Sequence, residues 1–306
     1  MQTHNPSRGA IVITGASTGI GRACALMLDR HGFLVFAGVR KEQDAQSLAA
    51  EASARLTPLL IDVTDASSIA QAAARVQASV GSGGLAGLVN NAGIGVSGPV
   101  EYLPLEDLHM RFDVNVFGQI AVTQRFLPLL RQARGRIVNI GSVGDRITMP
   151  FGGALCASKS ALAALNDALR MELRPWGLHV CLIEPASIAT PAADKVQAAS
   201  ESLIQQLPPE GAQRYAGMFR AFTRRVVERD TDGTSPDVVA AQVLRALTAA
   251  QPKTRYLAGK NAIRLSLLAW LMPERLLDQL RLRLFGLPTA FGALDTAPAL
   301  DRTLKV

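Results

Sequence analysis

The feature that most constrains this chain is an apolar run, residues 10–14, that passes through a glycine-rich turn directly into a helical pattern beginning at Ile20. The same order, a short apolar run followed by a longer Ala/Leu/Arg-rich pattern, repeats along most of the chain. Parallel strands need crossover helices, and right-handed βαβ units place those helices on both faces of one sheet. The sequence therefore predicts an α/β fold built on a doubly wound parallel sheet.

Seven short runs have the length and β-branched content of buried strands. They cover residues 10–14, 33–38, 56–62, 86–90, 135–142, 178–184 and 254–258. Six stretches between them show helical periodicity. They cover residues 20–31, 42–54, 66–80, 105–130, 154–175 and 236–249. Because no Pro/Gly/Ser-rich linker divides these elements, we predict one seven-stranded domain over residues 1–258 with helices on both faces.

Two segments fall outside this alternation. Residues 192–234 mix charged residues with an apolar stripe, and such an insertion beside a sheet edge is either a substrate lid or an ordinary helical pair that covers the core. Residues 259–306 form a basic amphipathic helical extension. Its pattern fits a surface that packs over a substrate pocket or a partner subunit, and it also fits one that lies on an anionic membrane.

The net charge of +7 comes mainly from the end of the chain, since residues 253–306 hold nine Lys and Arg against four Asp and Glu. No basic groove with interleaved aromatics is evident, and only 5% of residues are aromatic, so we expect no nucleic-acid partner. Three widely spaced cysteines and four histidines predict neither a disulfide framework nor a metal site. With no long apolar run, we expect a cytoplasmic protein, with peripheral membrane contact open for the extension.

The turn after the first run has a GxxxGxG spacing and opens a helix. Backbone amides at a helix amino terminus bind phosphate, and glycines let the backbone approach a pyrophosphate closely. We therefore predict a dinucleotide site here. The residues expected to contact the cofactor are Gly15, Ser17, Thr18, Gly19, Ile20 and Gly21.

Further motifs accompany the glycine turn at the ends of later strands and in later helices. They are Asn91, Ala92 and Gly93 after the fourth strand, Asn115, Ser142 after the fifth strand, and Lys159. Together these motifs resemble the short-chain dehydrogenase/reductase family over residues 9–258, and the Cys-Ala-Ser-Lys around Lys159 is similar to that of its hydroxysteroid and retinol dehydrogenases. The resemblance implies a Rossmann-like fold and an NAD(P)-dependent oxidoreductase.

The resemblance also implies further cofactor contacts along the same sheet edge. They are Asp62 and Val63 at the adenine, Lys159 at the ribose, and Pro185, Ile188 and Thr190 at the nicotinamide carboxamide. One position departs from the family pattern, because Ala186 stands where the family has a glycine after the proline.

The residues after the second strand bear on which nicotinamide cofactor is bound. In dinucleotide folds, an acid about 20 residues beyond the glycines bonds the ribose 2′-hydroxyl, whereas a base there accommodates a 2′-phosphate. This chain has Arg40 and Lys41, and its first acid, Glu42, lies beyond them. These two cations favour NADP(H) over NAD(H). The alternative is that both simply open an exposed helix.

The catalytic motif implied by the resemblance lacks its proton-transfer group. Family members use a Tyr four residues before the Lys, with a Ser and an Asn nearby; the corresponding positions here are Asn115, Ser142, Leu155 and Lys159. Leu155 can neither donate nor accept a proton, and a general acid or base contributes about 10²- to 10⁴-fold in rate. The chain is therefore expected to bind cofactor while its redox turnover is crippled or altered.

Three explanations for Leu155 stay open: an introduced substitution, a natural substitution with another group supplying the proton, or a scaffold that has lost redox activity. Five side chains are candidate substitute acids. They are Tyr102, Tyr215, Tyr256, Cys156 and His109. Tyr215, in the segment at residues 192–234, could reach the site, and the alternative is that it is simply a packing aromatic.

The residues that resemblance places in the substrate pocket are mostly apolar. They are Ser142, Met149, Phe151, Leu155, Met218 and Phe222. They favour an apolar carbonyl or alcohol such as a steroid, retinoid, polyketide or lipid-like molecule, although apolar walls are common to small-molecule sites in general. By resemblance alone we expect a homodimer or homotetramer formed through the helices at residues 105–130 and 154–175.

These observations favour an NADP(H)-dependent oxidoreductase that transfers a hydride between nicotinamide and an apolar substrate. The alternative is a non-redox enzyme on the same scaffold, such as a lyase, isomerase or cyclase, or a cofactor-binding pseudoenzyme.

Overall fold

The computed structural model describes residues 8–95, 97–189, 193–292 and 294. Its strands are β1 (Ala10–Ile13), β2 (Leu34–Val39), β3 (Leu56–Leu60), β4 (Gly87–Asn90), β5 (Arg136–Ile140), β6 (His179–Pro185) and β7 (Arg255–Ala258). Its helices are α1 (Gly19–Arg30), α2 (Glu42–Ala49), α3 (Ala66–Val80), α4 (Leu105–Phe112), α5 (Gly118–Ala133), α6 (Gly153–Leu173), α7 (Ala193–Gln206), α8 (Pro209–Thr231), α9 (Asp237–Thr248), α10 (Ala262–Leu271) and α11 (Glu274–Leu284). Each predicted strand is present within a few residues of its predicted bounds.

The seven strands form one parallel sheet in the order β3-β2-β1-β4-β5-β6-β7, which confirms the predicted doubly wound α/β fold. The chain moves outward from β1 to β3 and then returns to pair β4 with β1, where Ile13 lies level with Val89. In such sheets the ligand crevice lies outside the carboxyl ends of the strands at this reversal of strand order. The topology therefore places the predicted cofactor residues after β1 and β4 side by side.

Alternating side chains of β1 supply the cores on the two faces of the sheet. Ile11 and Ile13 pack with α1, α2 and α9, whereas Ala10 and Val12 pack with α3 and α5. A strand covered on both faces must be apolar at every position, and all four residues of β1 are buried. This burial explains why the first run reads as continuously apolar in the sequence.

Two helical boundaries differ from prediction for tertiary reasons. The expected helix over residues 105–130 is divided by a π-helical turn at Asp113–Phe117, which carries Asn115. The second helix ends at Ala49 rather than at residue 54, and the amide of Ser53 donates to the Asp29 carboxylate on α1 at 2.8 Å. Local sequence does not predict either boundary, because both depend on contacts with residues far along the chain.

The two additions cover the carboxyl ends of β5 and β6. The segment at residues 192–234 supplies α7 and α8, which pack against one another, and Phe219 and Phe222 of α8 lie in a cluster with Phe285 of the extension. Ala262 of α10 and Leu277 of α11 lie in a second cluster with residues from the loops after β5 and β6. No helix in the described part of the chain is both long enough and apolar enough to cross a membrane.

Candidate active site

The turn after β1 is fastened to the turn after β4. The buried Thr14 hydroxyl accepts hydrogen bonds from the amides of Asn91 and Ala92, both at 3.0 Å. The Asn91 amide group donates in return to the carbonyls of Thr14 at 3.0 Å and Gly15 at 2.9 Å. These reciprocal bonds fix the shape of the predicted pyrophosphate turn before any ligand binds.

The glycines of this turn sit where a side chain could not. Gly15 has a φ of 67°, and a Cβ there would lie 2.8 Å from the Cα of Ala92. A Cβ on Gly21 would lie 2.1 Å from the Gly15 carbonyl oxygen. Thr18 begins α1 without a side-chain cap, so the first-turn amides are open to an anionic ligand. This cradle fits the pyrophosphate of a dinucleotide.

The part of the site where the resemblance places the adenine has an acid, Asp62, on one side and two cations, Arg40 and Lys41, on the other. Asp62 accepts hydrogen bonds from the amide and hydroxyl of Thr64, at 2.9 and 2.7 Å, and these bonds, helped by the charge of Arg40, lower the pKa of its carboxyl. Val63 beside it is buried. Arg40 and Lys41 follow β2 as exposed residues, and neither forms an ion pair with any residue that the structure describes. Two exposed cations thus follow β2, where the resemblance places the 2′-position of the ribose.

The π-helical turn points Asn115 into the sheet edge, where its side chain is fully engaged. Its Oδ1 accepts from the amide of Ile94 at 2.8 Å, and its Nδ2 donates to the Ile94 carbonyl at 2.9 Å and the Ser158 hydroxyl at 3.0 Å. A Cβ on Gly93 would lie 3.3 Å from the Asn115 Oδ1 and 3.8 Å from the Nζ of Lys159. The structure therefore brings Gly93, Asn115 and Lys159 together at one point.

Lys159 is held beside the end of β5. Its Nζ donates to the Ile140 carbonyl at 2.8 Å, which leaves two ammonium protons for a ligand. Burial lowers the pKa of Lys159 to about 8, and the nearby Asp145 opposes part of this shift. The ammonium is charged at neutral pH and loses its proton more readily than an exposed lysine.

Ser142 lies two residues beyond β5 at the start of a short 3₁₀ turn. Its Oγ accepts from the amide of Gly144 at 3.0 Å, which leaves the hydroxyl proton free to be donated to a substrate oxygen. A Cβ on Gly144 would lie 3.2 Å from this Oγ and 3.3 Å from the sulfur of Cys156, so the turn packs directly on α6.

Leu155 lies in the first turns of α6, one helical turn before Lys159, and it is half-buried. Its Cδ2 would be 3.7 Å from a Cβ on Gly95, so its tip lies beside that glycine. Its carbonyl accepts from the Ser158 hydroxyl at 2.8 Å, which links the backbone at this position to Asn115 through Ser158. The site thus places a leucine where proton transfer would be needed.

In the loop after β6, the side chains of Ala186 and Ile188 are buried, so it is mainly the backbone that faces the candidate site. Ile188 is buried in the main core, and Ala186 is also buried, with a φ outside the left-handed region. The left-handed residue of this loop is Ser187, with a φ of 46°. Alanine therefore fits where the family has glycine. Thr190, the predicted carboxamide contact, lies outside the described residues.

A cavity of about 420 Å³ lies between α8, the loop before α6 and the extension. Phe151 and Met218 line it, together with Tyr215. Phe222, which we expected at the pocket, is instead 1% exposed and lies beneath Phe151, with ring centroids 5.5 Å apart. Met149 is half-buried against the same aromatic cluster.

Phe151 has a φ of 57°, a strained conformation for a bulky residue. Its carbonyl accepts from the amide of Gly98 at 2.7 Å, which helps to hold this geometry.

The candidate substitute acids lie in varied surroundings. Tyr215 donates its hydroxyl proton to Glu101 at 2.6 Å, and this bond raises the pKa of the phenol; Tyr102 stands edge-on to its ring, at 5.9 Å between centroids. Burial raises the pKa of Tyr256, whose oxygen accepts from a backbone amide, and it also raises the pKa of Cys156. His109 is exposed on α4. Among these five, the phenol of Tyr215 lines the cavity but is held in its protonated form.

Sequence reasoning missed a buried carboxyl pair behind Ser142. The side chains of Asp145 and Glu184 are 3% and 0% exposed, and both accept from Arg255, at 3.1 and 2.7 Å. Arg146 also donates to Glu184 at 2.9 Å. Burial and the neighbouring Glu184 raise the pKa of Asp145 to about 7. The four residues come from β6, β7 and the turn after β5, so only the fold assembles them.

Comparison with known proteins agrees with this geometry. The family model for short chain dehydrogenase matches residues 9–201. The chain is 40% identical over 277 residues to Retinol dehydrogenase 5 of Mus musculus, covering 88% of this chain and 86% of that protein. It is 32% identical over 274 residues to the NADPH-dependent 3-dehydrocapnine reductase of Ornithobacterium rhinotracheale, covering 88% and 94% of the two chains.

A solved short-chain dehydrogenase/reductase from Burkholderia phymatum, in complex with NAD, superposes with a TM-score of 0.69 at 26% identity, covering 82% of this chain and 89% of that chain. The fold and site therefore define a nicotinamide-dinucleotide-binding protein of the doubly wound class. Within that class, the chain belongs to the short-chain dehydrogenase/reductase family of oxidoreductases.

Proposed function

We propose that this protein is an NADP(H)-dependent oxidoreductase for apolar carbonyl or alcohol substrates, with its turnover lowered by Leu155. The observation that carries the proposal is the convergence of Asn115 and Lys159 at Gly93, on the same sheet edge as the open amino terminus of α1. A cofactor that spans this edge would lie along the predicted contacts that the structure describes. When bound, it would supply the hydride for the reaction.

The protein's own groups would bind and orient the reactants. The α1 amides would hold the pyrophosphate, and the two free protons of the Lys159 ammonium would bond ribose hydroxyls. The Ser142 hydroxyl, whose oxygen already accepts from a backbone amide, would donate to the substrate oxygen. These interactions stabilise developing negative charge on that oxygen without a titrating group.

Leu155 removes the step in which a phenol would transfer a proton. A positioned acid or base contributes about 10²- to 10⁴-fold, or roughly 3 to 5 kcal/mol of barrier. We therefore infer slow turnover in which water protonates the product oxygen, and tight cofactor binding that does not depend on position 155.

The preference for NADP(H) rests on Arg40 and Lys41. Both are exposed beyond β2 and neither forms an ion pair among the described residues, so a 2′-phosphate would gain their charge without breaking one. The name of the Ornithobacterium relative states NADPH dependence, whereas the Burkholderia phymatum neighbour was solved with NAD. The family thus accommodates either cofactor, and the local cations favour the phosphorylated one.

A fluorescence titration with NADPH and then NADH tests this assignment. The expected result is tighter binding of NADPH by the parent protein, and a loss of at least tenfold in NADPH affinity for Arg40→Ala with little change for NADH. Arg8→Ala, at an exposed arginine preceding β1, is the matched control. Equal weakening of both cofactors by Arg40→Ala would refute the 2′-phosphate assignment, and no binding of either cofactor by the parent would refute the whole proposal.

Leu155 itself favours a second candidate, a cofactor-binding protein or non-redox enzyme on the same scaffold. It predicts the same cofactor titration but no carbonyl reduction even when a proton-transfer group is restored at position 155. Restoring that group with Leu155→Tyr therefore separates the two candidates.

We propose that the extension contacts an anionic membrane surface through α10. Ile263, Leu267, Trp270 and Leu271 recur at helical spacing and are 51 to 79% exposed, and the adjacent Arg264 adds positive charge. An apolar helical face with flanking cations is typical of interfacial helices. The opposite face of α10 packs on the body of the protein, so those packing contacts do not compete with this surface.

Flotation with vesicles of phosphatidylserine and phosphatidylcholine tests the membrane contact. We expect Trp270→Ser to lower the bound fraction several-fold, while Trp176→Ser, at another exposed tryptophan, leaves it unchanged. Equal flotation of the parent and both variants would remove the proposal.

Self-association is proposed through the helices after β4 and β5. Leu105, Met110 and Phe117 are 52 to 65% exposed, as is Met171 of α6 at 62%. Exposed apolar side chains grouped on helices favour burial against a second copy. Sedimentation velocity of the parent should show a dimer or tetramer, and Phe117→Asp should shift it toward monomer; a monomeric parent would contradict the proposal.

A further inference from the structure

Three segments that are distant in sequence meet at the loop after β6. The amide of Thr234 donates to the Ser187 carbonyl at 2.9 Å, and the Thr234 carbonyl accepts from the Ala189 amide at 3.0 Å. The Thr234 hydroxyl accepts from the amide of Lys260 at 2.9 Å. The loop is therefore bonded to the chain just beyond α8, which is itself bonded to the start of the extension.

Two glycines allow neighbouring backbone segments to approach this loop too closely for any side chain to fit between them. A Cβ on Gly233 would lie 2.6 Å from the Ala189 nitrogen and 2.8 Å from the Ser187 oxygen. A Cβ on Gly259 would lie 2.3 Å from the Ala186 oxygen. Since the backbone contacts are this close, the loop has little room to shift, and the left-handed conformation of Ser187 must be maintained by its surroundings.

One side chain holds Ser187 from the other side. The Nη2 of Arg229, near the end of α8, donates to the Ser187 hydroxyl at 3.2 Å. The same guanidinium stands over the ring of Phe285, 5.4 Å from its centroid, and Phe285 is only 2% exposed. Arg229 forms no ion pair with the carboxylates that the structure describes, so its contacts are directed to the serine and the ring.

We propose that Arg229 is a positioning residue for the nicotinamide end of the cofactor site, acting through its hydrogen bond to Ser187. The inference rests on the proposed function, because it requires that a nicotinamide lie against the backbone of residues 187–189. Arg229 lies on α8 and its guanidinium contacts Phe285 of the extension, so the position of this loop depends on both additions to the sheet.

Two ligands with the same adenine and 2′-phosphate, only one of which has a nicotinamide, distinguish a positioning role of Arg229 from a general loss of structure. NADPH reaches the loop after β6, whereas adenosine 2′,5′-bisphosphate carries the adenine and 2′-phosphate without a nicotinamide. We expect Arg229→Met to weaken NADPH about fivefold to twentyfold and to leave the bisphosphate affinity within twofold. Arg229→Lys, which keeps a cation and a donor, should recover most of the loss, and Ser187→Ala should reproduce it.

The matched control is Arg225→Met, which removes an exposed arginine one helical turn earlier whose ion-pair partner is Glu228. It should leave both affinities unchanged. Equal weakening of NADPH and the bisphosphate by Arg229→Met would mean a structural role and overturn the inference, as would an unchanged NADPH affinity. If the parent protein binds neither ligand, the proposed function is refuted, and the inference is refuted with it. If Arg229→Met does not fold, Ser187→Ala provides the same test.

Discussion

Replacing Leu155 with tyrosine should restore proton transfer at the site. The leucine is half-buried, its tip lies beside Gly95, which carries no side chain, and Lys159 lies one turn along the same helix face. A phenol at this position would therefore extend from the backbone that Ser158 fixes relative to Asn115. The Lys159 ammonium would lower its pKa, because an opposite charge nearby favours the ionised form.

The expected gain is about 10²- to 10⁴-fold in kcat/KM for reduction of apolar ketones, or roughly 3 to 5 kcal/mol of barrier. The assay follows loss of NADPH absorbance across a panel of apolar ketones and aldehydes, for the parent, Leu155→Tyr and Leu155→Phe. The phenylalanine variant adds the same ring without the hydroxyl, so a gain confined to the tyrosine variant reports proton transfer rather than packing.

The pH dependence gives a second check on the same variant. The pKa of Lys159 is lowered to about 8 by burial, so its ammonium is present below that pH and is lost above it. The benefit of Lys159 to ketone reduction by Leu155→Tyr should therefore fall as pH rises through this value. If Leu155→Tyr binds NADPH and yet reduces no ketone faster than Leu155→Phe, the redox interpretation is wrong.

Three further predictions follow from the packing and the buried charges. Asp145→Asn should make the free energy of unfolding less sensitive to pH. The pKa of Asp145 in the folded protein, about 7, exceeds the ordinary 3.8, so the parent loses stability as pH rises through this interval, by about 2 kcal/mol between pH 5 and 7. Urea unfolding of the variant should lack that loss. A parent whose stability is flat over this interval would contradict the assignment. Gly21→Ala should abolish NADPH binding because its Cβ would lie 2.1 Å from a carbonyl oxygen, whereas Gly217→Ala, in open space on α8, should stabilise the fold by about 0.5 to 1 kcal/mol in thermal unfolding. Tyr215→Phe should keep residual carbonyl reduction within about threefold, because its raised phenol pKa makes it a poor acid; a loss of 10²-fold would identify Tyr215 as the substitute proton donor.

The sequence alone determined the sheet and the cofactor turn. The apolar residues of β1 are buried on both faces of the sheet, and such strands read as continuous apolar runs whose position is visible without any partner. Two glycines of the turn are required by local geometry, since Gly15 has a left-handed φ of 67° and a Cβ on Gly21 would lie 2.1 Å from the Gly15 carbonyl oxygen. Local pattern therefore sufficed for element order, parallel topology and the glycine turn.

Only the tertiary structure decided the features that depend on distant partners. Asn115, in the π-helical turn, forms hydrogen bonds to Ile94 and Ser158, which lie in other segments. Phe222 is buried beneath Phe151 because α8 packs on the extension. The Asp145 pair likewise exists because separate strands bring its members together. Hydrogen bonds and burial between segments far apart in sequence leave no periodic trace along the chain, so the fold had to form before these residues acquired their roles.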